Sequence, residues 1–254
     1  MKKIPVALQL YTLREQCEHN FYETLQKVAQ LGYSGVELAG FHQLSADQLK
    51  TILDELNLVA ISSHVPLADL QNNLEEVISN HKILNTKYIV CPYLLEEQRQ
   101  ESFYDDLIPF LEETGNRLRQ EGLILCYHNH DFELETLSNG KTALETIFDS
   151  VSKENLQTEL DIYWLTKAGE NPLDWLHRYS GRTPLVHLKD MTLDDEKIFA
   201  ELGTGGVNID AVLQIGEQNQ VEWWIVEQDQ CKGDPLESVT ISINYLKEKL
   251  PYLV

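Results

Sequence analysis

The sequence predicts an α/β protein built as a single (β/α)8 TIM barrel over residues 1–254. Eight short apolar runs typical of strands alternate with eight segments of helical periodicity, and strands joined by helices pair in parallel. Each strand–helix unit takes about 32 residues, and the chain is close to the roughly 250 residues of a closed barrel. No Pro-, Gly- or Ser-rich linker divides the chain, so one domain is expected.

The apolar runs and the helical segments follow one another in chain order. Strands are expected at 5–10, 35–40, 58–64, 87–93, 123–130, 156–162, 184–190 and 223–228. Helices are expected at 21–31, 46–56, 67–84, 103–119, 143–151, 172–178, 209–217 and 236–247. Ser45 and Asp234 stand at N-cap positions of two of these helices. A doubly wound open sheet is the alternative, but its first strand usually leads into a Gly-rich phosphate turn, whereas this one continues into QLYTLREQ.

Acidic residues dominate the charge of the chain. Its 20 Lys and Arg stand against 41 Asp and Glu, which gives a formal net charge of −21. Binding to nucleic acid or to an anionic membrane needs a surplus of basic residues, so neither partner is expected. The same long-range field repels small anionic substrates, and a phosphate site would have to be a local exception.

The chain shows no targeting signal, and a cytoplasmic protein is expected. After Met1 the first apolar stretch runs only from Ile4 to Leu8, which is too short for the core of a signal peptide. The four cysteines form no CxxC pair. Cys91 and Cys126 lie in apolar strand-like runs, which indicates reduced core thiols rather than disulfides or zinc ligands.

Polar side chains stand at the predicted carboxyl end of nearly every strand. Active sites of such barrels form at this end of the strands. Any one buried polar residue has an ordinary structural explanation, but convergence from eight strands predicts a site at the barrel mouth. The residues are Gln9, Tyr11, Glu37, His64, Tyr93, His128, His130, Asp161, His187, Lys189 and Glu227.

Part of this ring has the chemistry of a metal site. Asp161, His187 and Glu227 end strands six, seven and eight, and two carboxylates with an imidazole suit a divalent ion such as Mn²⁺, Co²⁺, Mg²⁺ or Zn²⁺. His128 and His130 point to the same side of strand five because side chains alternate along a strand. We expect His128 to bind the metal and His130 to contact the substrate or move a proton. The alternative is that one of the two is a hydrogen-bonded core residue.

Several motifs together resemble a known family. VALQLYTLRE, GYSGVEL, YHNHDFELE, LDIYW, VHLKD, ELGTGGVNI and VEQD are similar, in this order, to the xylose-isomerase-like barrel family of sugar-phosphate isomerases and epimerases. The branch they most resemble includes inosose dehydratases and related keto-sugar enzymes. The resemblance implies that Asp161, His187 and Glu227 are metal ligands.

The resemblance has departures at two positions. The epimerases of the family carry a metal-binding glutamate at the end of strand five, where this chain has His128, and Glu133 or Glu135 from the next loop is an open replacement. His130 matches a catalytic histidine of dehydratase-like members. Those members tend to carry another histidine where this chain has Trp164, which we expect to form an apolar wall for a sugar ring.

These observations predict a metal-dependent isomerase or epimerase of a small keto-sugar or sugar phosphate that works through an enediolate. Glu227 and His130 are the expected proton-transfer groups, and Lys189 is expected to stabilise a substrate oxygen. The alternatives are a lyase that dehydrates a keto-inositol or 3-keto sugar and a non-catalytic sugar-binding barrel. A homo-oligomer is left open. The residues expected to bind substrate are Gln9, Tyr11, Glu37, His64, Tyr93 and Trp164.

Two further features have structural alternatives. Lys189 and Asp190 are adjacent and of opposite charge, so a structural ion pair between them is an alternative to a role at the substrate. Gly203, Gly205 and Gly206 follow strand seven. Their backbone amides are expected either to approach a substrate oxygen or to form a plain flexible turn.

Overall fold

The computed structural model describes residues 3–253, so the first two residues and the last residue of the predicted domain lie outside the described range. Eight parallel strands close into a barrel because the first strand, Val6–Gln9, pairs with both the second, Gly35–Leu38, and the last, Trp223–Val226. This closure confirms the predicted fold and rules out the open doubly wound sheet. The barrel strands are β1 (Val6–Gln9), β2 (Gly35–Leu38), β3 (Val59–His64), β4 (Tyr88–Cys91), β5 (Ile124–His128), β6 (Gln157–Asp161), β7 (Leu185–Leu188) and β10 (Trp223–Val226).

The helices surround the barrel largely as predicted. The expected segment 67–84 is divided at Asn73, and two short helices, Arg14–His19 and Ile162–Lys167, were not predicted. Ser45 forms a capping box with Gln48, and the side chain of Asp234 accepts a hydrogen bond from the amide of Leu236. The helices are α1 (Arg14–His19), α2 (Phe21–Gln30), α3 (Ala46–Glu55), α4 (Leu67–Asn72), α5 (Leu74–Leu84), α6 (Glu101–Gln120), α7 (Ala143–Ser150), α8 (Ile162–Lys167), α9 (Pro172–Arg178), α10 (Ile209–Ile215) and α11 (Pro235–Lys249). Within residues 3–253, no helix is both long and apolar enough to cross a membrane.

A small hairpin follows β7. Its strands, β8 (Asp190–Met191) and β9 (Phe199–Ala200), pair antiparallel outside the barrel. Two-residue strands leave no periodic pattern in a sequence, which is why this hairpin was not predicted.

Two apolar layers hold the barrel. The larger one lies between the strands and the helices, and the smaller one fills the lower barrel interior. Trp224 belongs to the outer layer and Trp223 packs against the inner one, as expected from alternation along the strand. Cys91 and Cys126 are free and buried. The inner layer, here called the apolar plug, consists of Ala7, Ile61, Tyr88, Val90, Cys126, Leu185 and Ile225.

Candidate active site

A cavity of about 760 Å³ opens at the carboxyl ends of the strands, above the apolar plug. Tyr11, His64 and Tyr93, all expected to bind substrate, are among the residues that line it. Gln9 and Glu37 are fully buried and are not in the lining, so the structure places these two below the cavity floor. The complete lining is Tyr11, Ala39, Gly40, His64, Pro66, Asp69, Pro92, Tyr93, His128, His130, Lys189, Glu227 and Asp229.

The structure brings the four expected metal ligands together. His128, Asp161, His187 and Glu227 are all buried, and one donor atom from each lies within 4.8 Å of the others. Nδ1 of His187 is 2.9 Å from Oε2 of Glu227, and Nε2 of His128 is 3.7 Å from Oδ2 of Asp161. We call these four residues the upper set. The separations are compatible with one ion once the more distant side chains move inward, because ligand atoms about 2.1 Å from a tetrahedral ion lie roughly 3.4 Å apart.

Asp161 supports this fit. Oδ1 of its carboxylate accepts hydrogen bonds from the amides of Tyr163 and Trp164 and so begins α8. Oδ2 is buried and makes no hydrogen bond. Nζ of Lys189 lies 2.9 Å from Oδ2, as a charge contact without hydrogen-bond geometry. Oδ2 of Asp161 thus has a charge contact but no hydrogen bond, and a buried carboxylate oxygen in this state beside three other donors suits a divalent ion.

Lys189 lies beside the upper set and is almost completely buried. Its Nζ is 2.5 Å from Oε2 of Glu227 and 2.6 Å from Oδ1 of Asp229. Burial alone would lower the pKa of Lys189, but the carboxylates of Asp161, Asp229 and Glu227 outweigh it and hold that pKa well above its usual value. Burial would likewise raise the pKa of Glu227, but Lys189 and His187 hold it well below its usual value. Both groups are therefore charged.

The alternative interpretation of Lys189 as the partner of Asp190 is wrong. The carboxylate of Asp190 accepts hydrogen bonds from the amides of Met191, Gly203, Gly205 and Val207, at 2.8–3.0 Å. Asp190 therefore holds the loop after β7 rather than the lysine.

The glycine loop after β7 has a structural role. The amides of Gly203 and Gly205 point to Asp190, so the expectation that they approach a substrate oxygen is not met. Gly203 has a φ of +83°, in the left-handed region, and a Cβ at Gly205 would lie 2.2 Å from the carbonyl oxygen of Met191.

A second layer of polar residues lies directly below the upper set, and sequence reasoning missed one of its members, Glu159. Its Oε1 is 2.9 Å from Nε2 of His64, 3.1 Å from Nε2 of His187 and 3.1 Å from Nδ1 of His128. Oε1 of Glu37 is 2.7 Å from Nε2 of His187 and 3.1 Å from Nε2 of His64. Glu159 precedes Asp161 by two residues in β6, so alternation along the strand was the signal that could have found it.

The charges of this lower layer follow from its contacts. Burial alone would raise the pKa of Glu37, but His64 and His187 outweigh it and hold that pKa well below its usual value. Burial alone would lower the pKa of His64, but Glu37 and Glu159 raise it to about 10. Burial and the charge of Glu37 raise the pKa of Glu159. The contacts with His187 and His64 lower it, but by less. The lower layer is thus an ionic network of imidazoles and carboxylates.

His130 lies at the wall of the cavity among aromatic rings. Its ring centroid is 5.1 Å from that of Tyr93 and 5.1 Å from that of Trp164. Nδ1 of His130 is buried and makes no hydrogen bond. Burial and the neighbouring Lys189 hold its pKa well below the usual value, so the imidazole is neutral at pH 7. Trp164 thus contributes to the aromatic surroundings of His130 rather than to the cavity lining itself.

The two glutamates of the loop after β5 do not join the upper set. Glu133 is fully buried, and it accepts hydrogen bonds from the amide of His130 at 2.8 Å and from the hydroxyl of Tyr127 at 2.9 Å. Burial raises the pKa of Glu133 to about 8. Glu135 is exposed. His128 rather than either glutamate is the β5 residue in the group that could hold a metal.

Comparisons with known proteins identify the family and support the fold. A family model described as xylose isomerase-like TIM barrel matches residues 25–249. An inosose dehydratase of Clostridium botulinum (strain Alaska E43 / Type E3) is 26% identical, over 91% of this chain and 90% of that protein. A sugar phosphate isomerase/epimerase from Parabacteroides distasonis superposes with a TM-score of 0.85 at 20% identity, covering 99% of this chain and 100% of that one. The IolI protein with a bound zinc atom gives a TM-score of 0.77 at 16% identity, covering 99% of each chain.

Proposed function

Because the chain belongs to the xylose isomerase-like TIM barrel family, we propose that it is a metal-dependent isomerase or epimerase of a small keto-sugar or sugar phosphate. One observation carries this proposal. The upper set gathers two imidazoles and two carboxylates, of which His128 and Glu227 line the cavity while Asp161 and His187 lie buried behind them, next to a buried lysine and a neutral histidine. This combination suits removal of a proton beside a carbonyl group.

His128, Asp161, His187 and Glu227 would hold the ion. When bound, a divalent ion supplies a Lewis acid that polarises the substrate carbonyl and makes the neighbouring C–H bond more acidic. The ligands narrow the choice of metal ion. Mg²⁺ prefers oxygen ligands, so two imidazoles favour Mn²⁺, Co²⁺ or Zn²⁺ over it.

Glu227 is the proposed base. Its carboxylate is ionised and lines the cavity. The contact with Lys189 keeps it ionised and at the same time weakens it as a base. When the ammonium of Lys189 turns to a substrate oxygen, the carboxylate loses its strongest favourable contact and becomes more basic. Substrate binding and activation of the base are therefore coupled through one lysine.

His130 is the proposed second proton-transfer group. It follows β5, whereas Glu227 follows β10, and the two strands are three positions apart around the barrel. The two groups therefore approach a bound sugar from different sides. Return of the proton to the other face of the same carbon would epimerise the sugar, and return to the neighbouring carbon would isomerise it. Tyr11, His64 and Tyr93 remain the proposed contacts for sugar hydroxyls and C–H surfaces.

A lyase that dehydrates a keto-inositol or 3-keto sugar is the second candidate. The observation that favours it is the neutral imidazole of His130 in place of a second carboxylate, because an imidazole that has accepted the proton from carbon can donate it to a leaving hydroxyl. The inosose dehydratases among the relatives cover 91% of this chain and are consistent with it.

The experiment that tests the proposal uses the purified protein with Mn²⁺ or Co²⁺ in deuterated water. Keto-sugars are incubated and analysed by NMR and mass spectrometry. Deuterium in a recovered or isomerised sugar supports the isomerase or epimerase, whereas an unsaturated or diketo product with loss of water supports the lyase. Neither deuterium uptake nor dehydration in any keto-sugar, with the ion demonstrably bound, would reject both candidates.

Replacement of Glu227 by Gln removes the proposed base and is expected to lower turnover by roughly 10²–10⁴-fold. Gln keeps the size of the side chain, so the barrel should remain folded by circular dichroism. Glu75→Gln is the matched control, because Glu75 pairs with Arg117 on the outer surface. Full activity in the Glu227 variant would remove this residue from the mechanism.

A further inference from the structure

Glu37 and Glu159 are two carboxylates that cannot act on a substrate directly. Both are completely buried, and neither lines the cavity. They lie instead against the imidazoles of the upper set. Burying two carboxylates is costly, so their contacts with those imidazoles need an explanation.

The two histidines of the upper set each face both polar layers. His187 turns Nδ1 to Glu227 at 2.9 Å and Nε2 to Glu37 at 2.7 Å. His128 turns Nε2 to Asp161 at 3.7 Å and Nδ1 to Glu159 at 3.1 Å. Each ring therefore presents one nitrogen to the proposed ion position and the other to a buried glutamate. The contacted nitrogens differ between the rings, being Nε2 in His187 and Nδ1 in His128.

We infer that Glu37 and Glu159 are positioning residues that fix the tautomers of the two metal-binding histidines. When an ion binds, the proton that Nδ1 of His187 shares with Glu227 would be released to solvent, while Glu37 keeps the proton on Nε2, so the lone pair of Nδ1 would be available to the ion. Glu159 holds the proton on Nδ1 of His128, which leaves the lone pair of Nε2. The inference rests on the proposed metal set and assigns each histidine one ligating nitrogen. A carboxylate behind a ligating imidazole also increases the basicity of the ring and fixes its orientation.

The positioning carboxylates are themselves held in place. Nε2 of Gln9 donates to Oε1 of Glu37 at 2.7 Å, and the hydroxyl of Ser62 donates to Oε2 at 2.6 Å. Nε2 of His64 lies 3.1 Å from Oε1 of Glu37 and 2.9 Å from Oε1 of Glu159, so this ring connects the two carboxylates. Gln9, Glu37 and His64, all expected to touch substrate, thus share in a network below the ion, and His64 alone of the three also reaches the cavity.

This assignment also decides between two metal positions. His64, His128, Glu159 and His187 form a second group with donor atoms within 4.8 Å of one another. The ring nitrogens that His128 and His187 turn to this lower group are the ones that carry protons in the inferred tautomers. A protonated imidazole nitrogen has no lone pair for a metal. The barrel should therefore bind one ion per chain, in the upper set, and not two.

A glutamate is required at these positions because a carboxylate only accepts hydrogen bonds. The side-chain amide of Gln can also donate, and it can pair with an imidazole lone pair by turning its NH₂ group to the ring. That pairing would stabilise the opposite tautomer, which presents a proton to the ion. Glu→Gln at either position therefore tests the tautomer with little change in side-chain volume.

The experiment measures Zn²⁺ and Co²⁺ binding by calorimetry, together with the metal content of the protein. The wild-type protein should bind one ion per chain, and E37Q and E159Q should bind it about 10–100-fold more weakly at the same pH. E133Q is the matched control. It makes the same substitution in another fully buried glutamate at this end of the barrel, one that contacts neither ligand ring, and its metal affinity should equal that of the wild type.

A spectroscopic measurement on the wild-type protein decides the question even if a variant does not fold. In the Zn²⁺-loaded protein labelled with ¹⁵N-histidine, NMR should show a proton on Nδ1 of His128 and on Nε2 of His187. The opposite tautomers, two bound ions per chain, or unchanged affinity in both variants would overturn the inference while leaving the metal-dependent function standing. If the wild-type protein binds no ion, the proposed function and this inference fail together.

Discussion

The lower half of the barrel interior is apolar, whereas the upper half contains buried charges. The apolar plug below, which includes Ile225, is a packed set of side chains that needs no partner beyond its own contacts. The upper half contains the buried charges Glu37, Glu159, Asp161 and Lys189, which are tolerable only because each lies against an opposite charge or a hydrogen-bond donor. Within the barrel interior, apolar packing is therefore concentrated in the lower half and buried charge in the upper half.

This contrast predicts different responses to substitution. Removal of one side chain from the plug should lower stability and leave the chemistry of the folded molecule unchanged. Removal of one charge from the upper half should change the chemistry and should affect stability only through the partner charges left behind. Substitutions at Lys189 and Ile225 test this separation, and a third position, Glu133, tests a buried carboxylate beside it.

Lys189→Met should have the largest effect on stability, because it removes the one positive charge that contacts three carboxylates. Met fills the space but leaves the carboxylates of Asp161, Glu227 and Asp229 without their ammonium. We expect the free energy of unfolding to fall by about 3–5 kcal/mol at pH 7 in the presence of a chelator. The loss should shrink when a divalent ion is added, because the ion supplies positive charge to two of these carboxylates.

Urea unfolding with chelator and with Mn²⁺ measures this effect. Lys167→Met is the control, since Lys167 lies over the ring of Trp164 at the rim and should affect stability little. Equal stability of the Lys189 variant and the wild type in chelator would show that the lysine does not compensate the three carboxylates.

Ile225→Ala tests the apolar plug rather than the charged upper half. Ile225 is fully buried in the apolar plug, and its truncation should cost about 2–5 kcal/mol of unfolding free energy. Ile225→Val, which removes a single methyl group, should cost about 0.5–1.5 kcal/mol. Below the unfolding transition, both variants should bind Zn²⁺ as tightly as the wild type in calorimetry. A lower metal affinity would show that the plug determines the geometry of the upper half.

Glu133→Gln should have the smallest effect, visible as a change in pH dependence. The folded-state pKa of Glu133 is about 8, above that of the unfolded chain. The folded protein therefore holds a proton that the unfolded chain has lost, and this group lowers stability as the pH rises from about 4.5 to 8. Gln does not titrate. Between pH 5 and 9, the free energy of unfolding of the variant should therefore rise by about 1–3 kcal/mol relative to that of the wild type.

Chemical denaturation of both proteins at pH 5, 7 and 9 measures the difference. Because all other titrating groups are shared, their contributions cancel in the comparison. Parallel pH profiles would mean that Glu133 is ionised throughout, held in that state by Tyr127 and by the amide of His130.

The outline of the fold was predictable because it follows from local patterns. Strand β5 was expected at 123–130 and is found at Ile124–His128, and the cap at Ser45 was read correctly from its neighbours. The hairpin of β8 and β9 was not predictable, since four residues carry no periodicity. The division of the expected helix at Asn73 likewise leaves no strong local signal.

The residue types of the candidate site were predictable, but the depth of each residue in the barrel was not. The search for polar residues at strand ends found Asp161 and Glu227, but it passed over Glu159 and Asp229, each two residues away along the chain. It also treated Glu37 as a contact for substrate, whereas the side chain lies below the cavity floor. The depth of a residue depends on the register between neighbouring strands, and the sequence of one strand contains no information about that register.

The (β/α)8 fold and most of the polar residues near the mouth of the barrel were predictable from the sequence, because the periods of strands and helices are properties of the local chain. Only the tertiary structure decided which of those residues touch. It placed Lys189 against Asp161, Glu227 and Asp229 rather than against its neighbour Asp190, and it divided the polar residues between a cavity floor and a network beneath it. The physical reason is that charge pairing and hydrogen bonding act over about 3 Å between atoms, and closure of the barrel brings together atoms from strands more than a hundred residues apart.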